Sequence, residues 1–155
     1  MALLNWNRRR YSVGVAKLDD QHAVFIGGLN KLHGAMIMGQ GKTITGHLLQ
    51  TLIDNAREHT SAEEALMTST NYPGLAHHRA EHQKLVAKFA ELQAQHQKGE
   101  DSVCIPLLQF MRDWLSTHIL EEDRKYTPWL QEHGAHSSAQ PNLAAASHPA
   151  QHSEL

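Results

Sequence analysis

Hydrophobic residues recur at helical spacing in four stretches of this chain. The first runs from Asp20 to Met38, the second from Thr43 to Met67 and the third from Leu75 to Gln97. The fourth begins near Ser102, which can act as its N-cap. Four helices of about 17 to 25 residues joined by short turns predict an all-α fold, an up-down-up-down four-helix bundle.

The breaks between these stretches carry residues that end helices. Gly39-Gln40-Gly41 separates the first two stretches, and Asn71-Tyr72-Pro73-Gly74 is a turn signal between the second and third. Gly99 follows the third stretch and is expected to be its C-terminal cap, while Pro106 falls in the first turns of the fourth. No alternating pattern typical of a strand competes with this assignment.

Two segments lie outside the four helices. Residues 1–19 include Trp6, Tyr11 and Leu18, which are too apolar for a free tail, so we expect an N-terminal arm packed against the bundle. The predicted domain therefore spans residues 1–130. Residues 131–155 are mainly Ala, Ser, Gln, His and Pro, a composition that predicts a disordered C-terminal tail. We expect the tail histidines to be solvated: His133, His136, His148 and His152.

Composition and charge narrow the classes of function. The chain has 155 residues, with 14 Lys and Arg against 16 Asp and Glu and a net charge of −2, which disfavours a nucleic-acid partner. No apolar stretch approaches the ~18 residues of a membrane span, so we expect no membrane insertion. Met1 to Tyr11 lacks the apolar region of a secretory signal, and Cys104 is the single cysteine, so we expect a cytoplasmic protein.

Histidine is the compositional outlier, with 13 in 155 residues. Side chains four residues apart share a helix face and can bind one metal ion together. The second, third and fourth helices each carry such a pair, and a further histidine lies near the start of the first helix. These candidates are His22, His59 with Glu63, His78 with His82, and His118 with Glu122.

Local spacing leaves two questions open. His77 and Glu81 offer a competing pair one residue before His78 and His82, so the register of the third helix is not settled. The identity of the metal is also open. Imidazole and carboxylate ligands without thiolate exclude only iron–sulfur clusters and Cys-rich zinc sites. The His-Glu-x-x-His zinc motif, the EF-hand pattern and the Glu-x-x-His motif of ferritin-like bundles are absent. Iron or manganese remains, with zinc possible.

A set of short motifs, taken in order and separation, is more specific than any single pair. The set comprises Trp6, Val13-Gly14-Val15, Asp19-Asp20-Gln21-His22, His59-x3-Glu63-Glu64-x2-Met67, Tyr72-Pro73, His78-x3-His82 and Trp114-Leu115-x2-His118-Ile119-x3-Asp123. Through these motifs the chain resembles the bacterial hemerythrins, oxygen-binding four-helix bundles with a non-haem di-iron centre. The resemblance covers about residues 4 to 130.

The resemblance implies a cofactor of two non-haem iron ions with an oxo or hydroxo bridge. By residue, it implies that His78, His82 and His118 bind one iron and that His22 and His59 bind the other. Glu63 and Asp123 correspond to the carboxylates that bridge both ions. One coordination position then stays open, and in this family dioxygen enters there.

The function implied is reversible dioxygen binding, for storage, delivery or sensing. We expect a carrier rather than an enzyme, because no further acid or base is evident near the expected pocket. We also expect a monomer, with dioxygen as ligand and an oxygen-using enzyme as possible recipient. Two alternatives stay open: a di-iron enzyme that reduces peroxide or oxidises ferrous iron, and an iron or nitric-oxide sensor.

The fourth helix presents a geometric difficulty. His118 and Asp123 are five residues apart, which in a regular helix turns their side chains about 140° from each other. Glu122 suits regular helical geometry better than Asp123. If Asp123 is the ligand, as the resemblance implies, the helix must be locally irregular, and we predict a π-bulge or loosened turn there.

The oxygen pocket departs from the family at one position. Thr60 stands where the family usually has a phenylalanine that lines the pocket. We therefore predict a roomier, more polar pocket with faster autoxidation, since a polar site with space admits water. The remaining residues expected in the apolar wall of the pocket are Ile26, Leu85, Trp114, Leu115 and Ile119.

Overall fold

The computed structural model describes residues 2–99 and 103–133, and every regular element in these residues is helical. A short helix precedes three long ones, and a last continuous helical run combines three segments. The elements are α1 (Arg8–Tyr11), α2 (Ala16–Ile37), α3 (Gly41–Ser69), α4 (Leu75–Gln97), α5 (Cys104–Trp114), a π-helical segment (Leu115–Asp123) and α6 (Arg124–Glu132).

The long helices form the predicted four-helix bundle. Helix α3 packs against both α2 and α4, and the final helical run closes the bundle by packing against α2. Each helix turns an apolar stripe inward, which gives one large core built around buried leucines such as Leu29, Leu49, Leu52 and Leu107. None of the helices in the described ranges is both long and apolar enough to cross a bilayer.

The helices end at the turns predicted from the sequence. Gly39 and Gly99 have φ angles of +70° and +79°, a left-handed conformation that glycine adopts without steric cost. The Gly99 N–H donates to the His96 carbonyl at 3.0 Å, so Gly99 ends α4 as predicted. Pro106 lies in the first turn of α5, whereas Ser102, the predicted N-cap, is outside the described residues.

The N-terminal arm packs on the bundle, but it is shorter than predicted. Helix α2 begins at Ala16, four residues before the predicted start, because the carboxylate of Asp19 anchors the incoming chain. Asp19 accepts hydrogen bonds from the Ser12 hydroxyl at 2.5 Å and from the Val13 N–H at 2.8 Å. Farther along the arm, the Leu4 N–H donates to the Asn30 side chain at 2.9 Å.

The C-terminal boundary also shifts. Helix α6 ends at Glu132, two residues beyond the predicted domain end at 130. His133 is exposed, as expected for a solvated histidine, and its ring stacks on the Trp129 ring with centroids 4.0 Å apart. The anchored Trp129 side chain explains this extension, because its Nε1–H donates to the Thr70 carbonyl at 3.0 Å. The other three tail histidines lie outside the described residues.

A polar layer divides the apolar interior of the bundle into two parts. A smaller apolar cluster of Val13, Val15, Leu18, Met67, Tyr126 and Leu130 lies apart from the main core. Along α2, α3 and the final helical run, buried histidines or acids separate residues of this cluster from residues of the main core. The apolar cluster and main core together hold the polar layer in place from both sides.

We predict that stability depends on the main core rather than on the exposed apolar residues of the same helix. Leu107→Ala should lower the free energy of unfolding by about 2–5 kcal/mol, because Leu107 is fully buried. Ile105, which is 58% exposed, provides the control, and Ile105→Ala should change stability by about 0.5 kcal/mol or less. Denaturant unfolding with matched metal content measures both, and equal losses would contradict this assignment of the core.

Candidate metal centre

Seven histidine and carboxylate side chains meet in the polar layer, and all four long helical runs contribute. Every one of the seven is buried, with at most 2% of its surface exposed. These residues are His22 on α2, His59 and Glu63 on α3, His78 and His82 on α4, and His118 and Asp123 on the π-helical segment. The structure therefore brings together all seven residues that the resemblance singled out.

The predicted irregularity of the fourth bundle helix is confirmed by its π-helical segment, Leu115–Asp123. A π-helix bonds residue i to i+5, so residues five apart share a face. The Nε2 atom of His118 accordingly lies 2.9 Å from Oδ1 of Asp123. The pair His118 and Glu122, which a regular helix favours, does not form at this layer.

The structure also answers the register question on α4. The Nε2 atom of His78 lies 2.9 Å from Oε2 of Glu63 inside the layer. His77 points outward, with its side chain 62% exposed, and its Nε2 atom lies 3.0 Å from Oε2 of Glu122. His77 and Glu122 thus pair with each other outside the bundle interior.

The donor atoms form three overlapping groups, and within each group the atoms lie within 4.8 Å of one another. Glu63 belongs to all three groups and Asp123 to two of them. The groups are His22, His59, Glu63 and Asp123; His78, His118, Glu63 and Asp123; and His59, His82, His118 and Glu63. Glu63 and Asp123 therefore lie where the groups of imidazoles overlap.

Several of these buried atoms have no hydrogen-bond partner. Both ring nitrogens of His22 and His118, Nε2 of His59 and both carboxylate oxygens of Asp123 are unpartnered. The Nε2 atom of His22 lies 3.1 Å from Oδ2 of Asp123 without hydrogen-bond alignment. Burying polar atoms without partners is costly. Metal ions that accept the lone pairs of these atoms would remove that cost, so the donor set fits a metal site.

The electrostatics of the layer keep both carboxylates ionised. Burial by itself raises the pKa of Glu63, but the imidazoles of His59, His78 and His82 outweigh burial and hold the pKa well below its usual range. The pKa of Asp123 is also lowered, because His118 and His22 outweigh burial and the charge of Glu63. Two negative charges in the core attract cations, whether protons on imidazole or metal ions.

The imidazoles respond to these charges in different ways. Burial lowers the pKa of His78, but Asp123 and Glu63 outweigh it and raise this pKa to about 9. The pKa of His22 is likewise raised by Asp123 against the effect of burial. His59 is the exception, because burial outweighs Glu63 and its pKa is lowered.

Three side chains that sequence reasoning gave no role orient the layer. The Nδ1 atom of His59 lies 3.0 Å from Oε1 of Gln21. The Nδ1 atom of His82 lies 2.9 Å from Oε1 of Glu64. With Nδ1–H donating there, the Nε2 lone pairs face the interior. The Tyr126 hydroxyl donates to Oε1 of Glu63. Gln21 and Glu64 are each next to a predicted ligand in the sequence, and this adjacency could have identified them as candidates. Tyr126 lies three residues beyond Asp123, which is a weaker indication of a role.

Five of the residues predicted to line the oxygen pocket belong to the main core or pack against it. Trp114 stacks on His118 with ring centroids 4.9 Å apart. Phe25, which sequence reasoning missed although it lies three residues from His22, contacts the rings of His59 and Trp114. The other four members of the predicted wall are buried in the core: Ile26, Leu85, Leu115 and Ile119.

Thr60 is half-buried, and its hydroxyl is occupied within its own helix. The hydroxyl donates to the Arg57 carbonyl at 3.1 Å, so it does not donate to water beside the layer. The hydroxyl oxygen can still accept a hydrogen bond, so this contact does not test the predicted polar character of the pocket. The predicted autoxidation rate stays a prediction.

Comparison with known proteins gives a consistent result. Residues 13–130 match the family model described as the hemerythrin HHE cation binding domain. Bacteriohemerythrin of Methylococcus capsulatus is 38% identical over 130 residues, which are 84% of this chain and 98% of that protein. Bacteriohemerythrin of Stenotrophomonas maltophilia is 32% identical, over 86% of this chain and 85% of that protein.

A solved structure supports the same relationship. The crystal structure of a wild-type hemerythrin superposes with a TM-score of 0.76 at 37% sequence identity, covering 83% of this chain and 98% of that one. The family model spans more than half of the chain, and the relatives are matched over most of their own length. The matched residues include both the four-helix bundle and the buried layer of histidines and carboxylates. The chain is a member of the hemerythrin family.

Proposed function

We propose that this protein binds dioxygen reversibly at two non-haem iron ions and acts as an oxygen carrier. One observation carries the proposal: overlapping groups of buried donor atoms share Glu63 and Asp123. A single mononuclear site needs neither shared carboxylates nor seven donors in one layer. Membership of the hemerythrin family supports iron as the metal.

The donor groups suggest how the ligands divide. His22 and His59 group with both carboxylates, which fits one iron. His78 and His118 group with the same carboxylates, which fits the other iron. His82 groups with His59, His118 and Glu63, and we assign it to the iron of His118. The cofactor would also include an oxo or hydroxo group, and the iron held by two imidazoles would have room to take up dioxygen. When bound, the iron pair supplies the electrons that dioxygen requires.

The surrounding side chains hold the ligands ready for the metal. Gln21 and Glu64 accept from Nδ1 of His59 and His82, which fixes these two rings in the tautomer that leaves Nε2 free. Tyr126 donates to Oε1 of Glu63 and so fixes the orientation of that carboxylate. Such outer contacts commonly change metal affinity about 10–100-fold when they are lost.

The apolar side of the layer is suited to excluding water. Trp114 lies flat against His118, and Phe25 packs edge-on between the rings of Trp114 and His59. Reversible binding requires that water and anions do not compete for the open position, and a dry, apolar wall lowers their access. We assign this role to Phe25 together with Ile26, Leu85, Trp114, Leu115 and Ile119, with Thr60 at the margin.

A carrier fits the chemistry better than a dedicated enzyme. The polar side chains that contact the seven proposed ligands in the described residues, Gln21, Glu64 and Tyr126, are hydrogen-bonded to ligands and are not free acids or bases. The proposal includes storage or delivery to an oxygen-using enzyme by a monomer. The single cysteine, Cys104, suits a reducing cytoplasm.

The visible spectrum tests the proposal directly. Aerobic, iron-loaded protein should show a charge-transfer band that disappears on deoxygenation and returns on exposure to air, over repeated cycles. A band that bleaches permanently as substrate is consumed would instead indicate an enzyme. Zinc-loaded protein is the control, since zinc has no redox chemistry and should show no such band.

We predict that iron content distinguishes the two histidines at the start of α4. His78→Ala should lower the iron content from two ions toward one, because His78 reaches both carboxylates. His77→Ala is the matched control and should retain both irons, since His77 faces outward. Metal analysis of the purified variants measures this, and the reverse pattern would show that the register on α4 is wrong.

We predict a parallel difference on the fourth bundle helix. Asp123→Asn should disrupt the optical spectrum and weaken iron binding, because the change removes a buried charge that contacts His22, His78 and His118. Glu122→Gln removes the neighbouring charge outside the layer and should leave the spectrum nearly unchanged. A spectrum lost in Glu122→Gln but kept in Asp123→Asn would overturn the assignment.

A further inference from the structure

An open groove runs between α2 and α3 at the depth of the proposed ligand His59. The groove is lined by Asp20, Gln21, Val24, Asn55 and Glu58. Gln21 lines the groove and also accepts a hydrogen bond, through Oε1, from Nδ1 of His59 at 3.0 Å. Gln21 therefore forms the contact between the groove and a proposed metal ligand.

Gln21 is held less firmly than Glu64, the side chain that makes the equivalent contact with His82. Both oxygens of Glu64 are engaged, Oε1 at 2.9 Å from Nδ1 of His82 and Oε2 at 2.9 Å from Nε of Arg79. The Nε2 atom of Gln21, in contrast, is buried without a hydrogen-bond partner. Turning Gln21 outward would break one hydrogen bond and let Nε2 donate to water, which removes the cost of that unpartnered donor. Gln21 is therefore easier to displace than Glu64.

The two proposed metal positions also differ in how strongly their ligands bind. One position has the imidazoles of His22 and His59, and the other has three imidazoles. The acceptor behind His59 is a neutral amide, whereas the acceptor behind His82 is a carboxylate. An anionic acceptor makes the imidazole a better donor to the metal, so the position beside Gln21 is expected to bind its ion more weakly.

The charge of the groove suits the passage of a cation. Asp20 and Glu58 are exposed carboxylates in its lining, and the five lining residues include no lysine, arginine or histidine. Negative charge at a cleft raises the local concentration of cations. The half-buried Asn55 and Gln21 add amide oxygens farther along the lining.

Other sides of the layer are covered by aromatic rings that pack with the apolar clusters. The Trp114 ring stacks on His118 with centroids 4.9 Å apart, and the Tyr126 ring lies 5.2 Å from the ring of His78. Trp114 packs against the main core, and Tyr126 is part of the smaller cluster. Moving either ring would disturb apolar packing, whereas moving Gln21 would not.

We propose that Gln21 is the gate through which the metal ion held by His22 and His59 enters and leaves, by way of the groove between α2 and α3. The gate rests on the two-ion centre proposed above. The ion held by His78, His82 and His118 would be retained, while the ion beside Gln21 exchanges with solution. Because the exchanging iron is the one proposed to take up dioxygen, the supply of ferrous iron would set the oxygen capacity of the protein.

Release of zinc from the full chain loaded with two zinc ions tests the gate, and zinc has no redox chemistry of its own. Excess chelator should remove one ion rapidly, from the position beside Gln21, and the other slowly. Gln21→Glu gives His59 an anionic acceptor and should slow the rapid phase by about 10–100-fold. Glu64→Gln is the matched control at His82 and should accelerate the slow phase only. A single phase in the wild type, or a rapid phase that Gln21→Glu leaves unchanged, overturns the gate.

Filling the groove distinguishes a path from mere support of His59. Val24 lines the groove and is 50% exposed, so Val24→Trp should fold normally and obstruct the path. Release of the rapid zinc ion and its uptake by the one-zinc chain should slow severalfold by the same factor, with the affinity unchanged. Ile105→Trp is the control, since Ile105 is 58% exposed and lies outside the groove, and it should keep both rates. Wild-type rates in Val24→Trp overturn the path.

These results separate the gate from the carrier function. Two-phase zinc release with the expected responses, in a protein whose iron form shows no reversible oxygen band, would support the gate and contradict the carrier function alone. Single-phase release in a protein whose iron form does show that band would contradict the gate alone.

Discussion

The burial of two carboxylates in a helical core is the constraint on which the rest of this structure depends. Glu63 and Asp123 lie fully out of solvent, and their ion-pair partners are imidazoles from all four long helical runs. An isolated buried carboxylate would cost several kcal/mol, so the charges must be matched by cations held in the same layer. The proposed metal ions and the histidines are therefore part of what makes this core stable.

Packing on both sides of the layer makes that arrangement rigid. The main core lies on one side and the cluster around Tyr126 and Leu130 on the other, so the ligands cannot relax without disturbing one of them. The π-helical segment is the local cost of this geometry, since it departs from regular helix to bring Asp123 onto the face of His118. The same helix then continues to Tyr126 and Trp129, which ties the layer to the protein surface.

Much of this could be predicted from sequence because helices have a fixed period. Hydrophobic spacing located the long helices, and Gly99 marked the end of α4 correctly. Periodicity could not choose Asp123 over Glu122, because a π-helix changes the period itself; only the resemblance did so. Adjacency to a ligand marks Gln21 and Glu64 as candidates, but which ring or carboxylate these two side chains and Tyr126 contact depends on how separate helices pack.

The most direct test of the account is anomalous X-ray diffraction at the iron edge on crystals of iron-loaded protein. The account predicts two iron peaks within the polar layer, one beside His22 and His59 and the other beside His78, His82 and His118, with Glu63 and Asp123 between them. A single peak, or two peaks that leave either carboxylate outside the metal contacts, would contradict it.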